Sequence, residues 1–260
     1  MTLYGIDIAK YQAGIGLAEV KKEGFTWVEA RCSTGYKGQP IDPDFAGFKA
    51  AAKKAGLLFV AYHFLYPSHV TSIKEQAANC AKAVSDKTCP IMIDHEPDGQ
   101  TAPIPSVADA VNFAAAMRGL GYYVPFWYLP HWVWQRLGSP HLPRTNMSLI
   151  ASSYVAGTGP ASSLYPGKSH WPAPYGGVTP VIWQFTDQAE VAGRKVDADA
   201  FEGTVTQLKA YLTPPPPPIA VVHPNVDTAR KFLRRAAAKY KGGRVGRSIS
   251  KALRALWGIK

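Results

Sequence analysis

Cysteine is scarce in this chain, and what there is carries no recognisable chemistry. Cys32, Cys80 and Cys89 are an odd number, with neither a Cys-x-x-Cys pair nor metal-ligand spacing. Buried thiols in a protein made in a reducing cytoplasm are the expected state, and nothing demands a Cys80–Cys89 bridge. Long apolar runs are missing too, since none reaches the ~18 residues of a membrane span. The segment Met1–Asp7 has no basic stretch followed by an apolar one, so a cleavable export signal is not expected. No Gly-x-Gly-x-x-Gly follows the first apolar segment, which argues against a dinucleotide-binding fold.

Acidic residues are nearly absent from one end. The net charge of +11 over 260 residues is concentrated in residues 223–260, where 11 Lys/Arg face a single acid, Asp227. Residues 1–222 are close to neutral, with 18 Lys/Arg and 17 Asp/Glu. Between the two regions stand five prolines, Pro214 to Pro218. Such a run cannot continue a helix or a strand and forms a stiff extended spacer. Three parts are therefore expected: a body over 1–212, a proline-rich linker over 213–222 and a basic tail over 223–260. The near-neutral body argues against a nucleic-acid binder, and no specific nucleic acid is expected as a partner.

With 47% apolar residues the body can bury a sizeable core. Short apolar segments alternate with helical patterns along it. Strands are expected at 3–8, 27–32, 57–64, 90–94, 125–128, 149–154 and 181–185. Helices are expected at 17–23, 42–55, 73–84, 106–120, 131–137 and 199–212. Residues 156–180, rich in Gly, Pro and Ser, show no helical period. Repeated strand–helix units suit an α/β domain with a parallel sheet, either a barrel or a doubly wound sheet. The barrel is favoured, and an irregular one, because the second half is poor in helices.

In a parallel barrel the chemistry sits at the C-terminal ends of the strands. Acids recur at those ends: Asp7, then Asp94 and Glu96, and Asp197 shortly after Val181–Phe185. Residues two apart on a strand face the same side, so Asp94 and Glu96 can share a pocket while His95 points away. Glycoside hydrolysis needs such a pair, one carboxyl protonating the leaving oxygen and another stabilising the oxocarbenium-like centre. Singly, each residue has an ordinary explanation. Asp7 could cap a turn, Asp197 could cap the last helix, and His63 after an apolar strand reads most simply as a core histidine.

Five stretches, in this order and spacing, resemble the glycoside hydrolase family 25 lysozymes, the Chalaropsis-type N-acetylmuramidases of bacteria and bacteriophages. They are Tyr-Gly-Ile-Asp-Ile-Ala-Lys-Tyr-Gln (4–12), Ala-Tyr-His-Phe (61–64), Ile-Asp-His-Glu (93–96), Trp-Gln-Phe (183–185) and Val-Asp-Ala-Asp-Ala-Phe (196–201). The resemblance runs from Leu3 to about Leu212 and implies an irregular TIM-like barrel of eight strands. It implies Glu96 as general acid, Asp94 as its partner, and Asp7 and Asp197 completing an acidic cluster. Tyr62, His63, Tyr128, Trp183 and Gln184 are the implied substrate contacts, and neither metal nor cofactor is implied. The implied substrate is the β-1,4 bond on the reducing side of N-acetylmuramic acid in peptidoglycan glycan strands. An endolysin, made in the host cytoplasm and acting on the wall after release, fits this best. The alternative is a non-catalytic wall-glycan-binding module on the same barrel.

Two segments depart from the family pattern. Arg31-Cys32-Ser33-Thr34-Gly35 stands where Lys-Ala-Thr-Glu-Gly is common, which removes a carboxylate from the groove. Ala9-Lys10-Tyr11 replaces a small polar residue, His or Asn, and Trp. The tail lies beyond the resemblance. Val226, Ala229, Leu233, Ala236 and Tyr240 fall on one helical face, with cations around the others. A basic amphipathic helix of this kind suits an anionic membrane or wall polymer.

Overall fold

In the computed structural model, the structure describes residues 1–99 and 101–214, and within the tail Lys231, Arg235 and Lys239 alone, each helical and exposed. The expectations for the linker beyond Pro214 and for the tail's apolar face lie outside the described residues. The chain divides into two units at Pro214/Pro215.

The first unit is a closed barrel of eight strands in sequence order. They are β1 (Thr2–Ile8), β2 (Trp27–Thr34), β3 (Leu58–Phe64), β4 (Ile91–Asp94), β5 (Phe126–Tyr128), β6 (Ser148–Ser152), β7 (Ile182–Val191) and β8 (Arg194–Glu202). Seven helices accompany them: α1 (Leu17–Lys22), α2 (Phe45–Ala55), α3 (Ile73–Val84), α4 (Val107–Gly119), α5 (His131–Arg136), α6 (Ala161–Leu164) and α7 (Val205–Leu212). The long ones sit in the first half. Ser72 and Ser106 cap α3 and α4 by accepting from the N–H groups of Glu75 and Asp109.

Neighbours from β1 to β7 are parallel, whereas β8 runs antiparallel to both β7 and β1. This strand corrects the expected helix over 199–212, whose first residues belong to β8 and whose helix begins only at Val205. The β7–β8 hairpin turns at Ala192 and Gly193, both with positive φ (48° and 73°). Positive φ at both central residues is the geometry that two-residue hairpins favour. Residues 156–180, read as lacking a helix, hold the one-turn α6 and a short three-ten turn at Lys168–His170.

Strand alternation makes two cores. Ile6, Val28, Ala30, Ile91, Ile93 and Ala198 point outward against the helices. Leu3, Trp27, Val60, Met92, Phe126 and Phe201 fill the barrel interior. Helix α7 closes the floor, with Leu208 buried there and the Tyr211 ring 6.1 Å from Phe126 and 5.9 Å from Phe201. The interior is packed below, so the open end of the barrel is the one where the parallel strands finish. The three cysteines are free and buried, and Cys32 Sγ lies 3.6 Å from Cys80 Sγ.

Candidate active site

At that open end a groove encloses about 460 Å³, within the usual range for small-ligand sites. Asp7 reaches it from the end of β1 and Asp94 from the last position of β4. Glu96 follows two residues later, on the same side, while the intervening His95 is turned outward and fully buried. Asp197 arrives differently from its expected place after β7. It lies in the first half of β8, and because β8 is antiparallel its beginning is level with the ends of the parallel strands. Asp197 is paired in register with Asp7.

These four acids perturb one another. Burial first, and then the Asp197 charge, raise Glu96 to about 7. Asp197 is likewise pushed up to about 7, by burial and then by Asp187. Asp94 is held well above the usual carboxylate range by burial and then by Glu96 and Asp7, with Arg31 pulling the other way. Asp7 is raised by burial, then by Asp197 and Glu29, while a hydrogen bond from the Tyr62 hydroxyl opposes the rise. Like charges this close cannot all ionise at neutral pH, so the cluster keeps protons that isolated carboxyls would have lost. The groove therefore offers both a proton donor and negative charge at one place.

Aromatic hydroxyls and an amide line the rest. Tyr128 and Tyr154 each donate to Gln184 Oε1 at 2.8 Å, which fixes the orientation of the amide. Of the four strongly exposed aromatic rings among the described residues, Tyr11, Tyr36, Trp132 and Tyr154, three line the groove. Exposed rings grouped in one cleft are stacking surfaces for sugars rather than core. No group of three or more metal-ligating side chains forms among the described residues.

Two expected contacts lie elsewhere. His63 is fully buried behind the barrel wall, bonded to Ser33 Oγ at 2.8 Å and Gln76 Oε1 at 3.0 Å, and stacked on Phe113 at 4.3 Å. Burial lowers it to about 4, so it is a neutral core histidine. Trp183 also faces outward, its indole donating to the Ser153 carbonyl at 2.9 Å. The reason is the two-residue period of a strand: Tyr62 and His63 cannot both face the groove, nor can Trp183 and Gln184. Tyr62 and Gln184 take the inner positions.

Other site residues went unread in the sequence. Tyr154 lies two residues past β6, where the strand-end rule points to it. Asp42 clamps Arg31 with Oδ2, 3.1 Å from Nε and 3.0 Å from Nη2. Nothing in the local sequence joins Asp42 to that arginine. Beneath the groove Glu29 and Asp199 are buried in the barrel; Glu29 accepts from Trp27 Nε1 at 3.0 Å, and neither Asp199 oxygen has a partner. Burial raises both carboxyls, Glu29 to about 7.

Curated proteins show no match to the chain in sequence. Solved structures do match in fold. The lysozyme from Streptomyces coelicolor is 20% identical with a TM-score of 0.63, covering 81% of this chain and 96% of its own. A family GH25 lysozyme from Aspergillus fumigatus is 24% identical, TM-score 0.65, covering 82% and 100%. The CTP1L endolysin is 17% identical, TM-score 0.59, covering 80% and 69%. The model of the glycosyl hydrolases family 25 matches residues 6–194, a span that takes in Asp7, Asp94 and Glu96 and stops in β8 just short of Asp197. With most of the barrel inside that match, the chain belongs to the glycosyl hydrolases family 25 and is a glycoside hydrolase.

Proposed function

We propose that this hydrolase is a muramidase that cuts peptidoglycan glycan strands at the β-1,4 bond on the reducing side of N-acetylmuramic acid. The observation that carries the reading is Glu96, a carboxyl still protonated near neutrality, standing beside Asp94 in a groove lined by exposed tyrosines. Glu96 gives its proton to the glycosidic oxygen as the bond to C1 breaks. Asp94, raised by burial and then by Glu96 and Asp7 with Arg31 opposing, supplies negative charge for the oxocarbenium-like centre once the cluster has given up a proton. Water then adds at C1 and returns a proton to Glu96. Asp7 and Asp197 keep that proton from leaving early, since each ionisation nearby makes the next more costly. Tyr62, Tyr128 and Gln184 orient the sugar. Support for the substrate comes from family membership and from the lysozymes and muramidases among the fold neighbours.

The same reading makes the protein a bacteriophage lysin, produced in the host cell and acting on the wall after release. It assigns the basic tail to the anionic surface of membrane or wall polymer. Its support is the charge separation between body and tail and the endolysin among the fold neighbours.

The test is digestion of purified peptidoglycan followed by borohydride reduction of the new ends. N-acetylmuramitol is expected. Reduced N-acetylglucosamine instead would move the cut to the other glycosidic bond, and no new reducing ends would remove the reading altogether.

A further inference from the structure

The groove is not acidic throughout. Its edge beside β1 and β2 carries two cations, Lys10 and Arg31, and one acid, Asp42. That acid is fully engaged. Its Oδ2 accepts from the backbone N–H of Lys10 at 3.0 Å as well as from Arg31, and its Oδ1 accepts from the backbone N–H of Asp44 at 3.0 Å. The carboxylate thus ties three segments together and offsets Arg31. Lys10 has no ion pair among the described residues; its ammonium donates to Gln39 Oε1. Thr34 and Tyr36, the neighbouring groove residues, bring no acid, and Asp98, the groove's remaining carboxylate, follows Glu96 and accepts from the Tyr66 hydroxyl. The edge is left with a surplus positive charge.

An exposed ring lies in the middle of this edge. Tyr11 is 72% exposed, with the Lys10 ammonium 5.6 Å and the Arg31 guanidinium 5.2 Å from its centroid. An open aromatic face bordered by cations suits a sugar ring that bears an anionic substituent: the ring stacks, and the charge meets Lys10. Such an edge also answers a problem set by the catalytic acids. An anionic strand approaching Asp7, Asp94, Glu96 and Asp197 meets like charge, and a cation on one side gives it a favoured position and direction.

Resting on the muramidase reading, we infer that Lys10 and Tyr11 form a specificity subsite for the carboxylate carried on the lactyl ether of muramic acid. That carboxylate is the lactyl group's own on bare strands, or belongs to the stem peptide attached there. The subsite selects acidic, muramic-acid-containing strands over neutral glycans and fixes which sugar lies next to Glu96.

The experiment measures binding of fluorescently labelled strands to Glu96→Gln protein, so that turnover plays no part. Two strand preparations are used, one with stem peptides and one stripped of them, each before and after amidation of its carboxyls. Unmodified Glu96→Gln protein is expected to prefer the charged strands. Adding Lys10→Gln should shrink that preference about three- to fivefold, the range of a partly exposed charge pair. Lys10→Arg should keep it, and Lys53→Gln on α2, away from the groove, should not alter it. A preference lost on stripped strands assigns the lactyl carboxylate, and one lost only on peptide-bearing strands assigns the stem. If Lys10→Gln leaves the preference unchanged on both, the subsite is wrong. Failure of the muramidase reading shows separately, as tight charge-dependent binding by a wild-type protein that releases no reducing ends.

Discussion

Glu96 keeps its proton to about pH 7 because two effects act in the same direction. Burial penalises the charged form, and Asp197 adds repulsion. If Glu96 is the acid, its protonated form is the working one, so activity should fall as pH rises through about 7. A rate that climbs steadily to pH 9 would exclude Glu96 from that role. Glu96→Gln keeps the shape but has no proton to give, and turnover should drop by about 10²–10⁴-fold with strand binding retained. Near-normal turnover by this variant would transfer the role elsewhere. The same physics separates the two histidines beside the site from catalysis. His95 accepts from Trp127 Nε1 at 3.1 Å and donates to the Pro105 carbonyl at 2.6 Å. Burial lowers it to about 4, so it stays neutral and holds the turn between Asp94 and Glu96 in place.

The strand elements deliver the acids, and their alternation decides which neighbours are admitted. On β1, Leu3, Gly5 and Asp7 face inward, and Gly5 is the position the barrel cannot fill. A Cβ there would stand 2.0 Å from Trp27 Cε2. The indole occupies the space a side chain would take and so reaches Glu29. Gly5→Ala should therefore overpack the interior and cost roughly 1–3 kcal/mol. Thermal unfolding of the variant reads this directly, and an unchanged Tm would mean that Trp27 can move aside without loss. On β8 the alternation was hard to read, because Val196, Ala198 and Ala200 outside are matched by Asp197, Asp199 and Phe201 inside. Two acids on an inward face, with alanines between them, resemble the start of a helix. Only pairing with β1 and β7 makes that segment a strand, and the pairing is what brings Asp197 beside Asp7.

At the scale of the whole molecule the acids bear on stability as well as activity. Glu29, Glu96 and Asp197 all titrate near 7 in the folded barrel, against 4.5 for the glutamates and 3.8 for the aspartate when free. Through these acids the folded state binds more protons than the unfolded chain between about pH 4 and 7, which lowers stability as pH rises, whereas the buried His63 and His95, lowered to about 4, act in the opposite sense up to about pH 6.5. For buried Glu29 alone the shift corresponds to roughly 3 kcal/mol. Above about pH 6.5, where the histidines no longer titrate in either state, Tm should decline toward pH 8, and Asp199→Asn, which removes an unpartnered buried carboxyl, should flatten the decline. A Tm that rises over the same range would contradict the protonated cluster. The second unit adds a different expectation. Removing residues 215–260 should leave turnover on soluble glycan fragments intact and weaken binding to anionic vesicles or whole cells. Salt should weaken binding of the full chain in the same way, by screening. Equal envelope binding by both forms would rule out a targeting tail.

Period, charge and order of motifs along the chain were enough for the α/β barrel and for Asp7, Asp94 and Glu96 at strand ends. These are local properties: an apolar run of strand length, a turn signal, an acid at the end of a run. Tertiary structure alone decided that His63 and Trp183 belong to the outer core, that β8 is a strand, and that Asp42 holds Arg31 at the groove's cationic edge. Each of those depends on which face of a strand is inside, or on partners 11 to 56 positions away, such as Arg31 with Asp42 and Tyr128 with Gln184. The protonation of the acids belongs there too, because burial and neighbouring charge exist only once the barrel has closed.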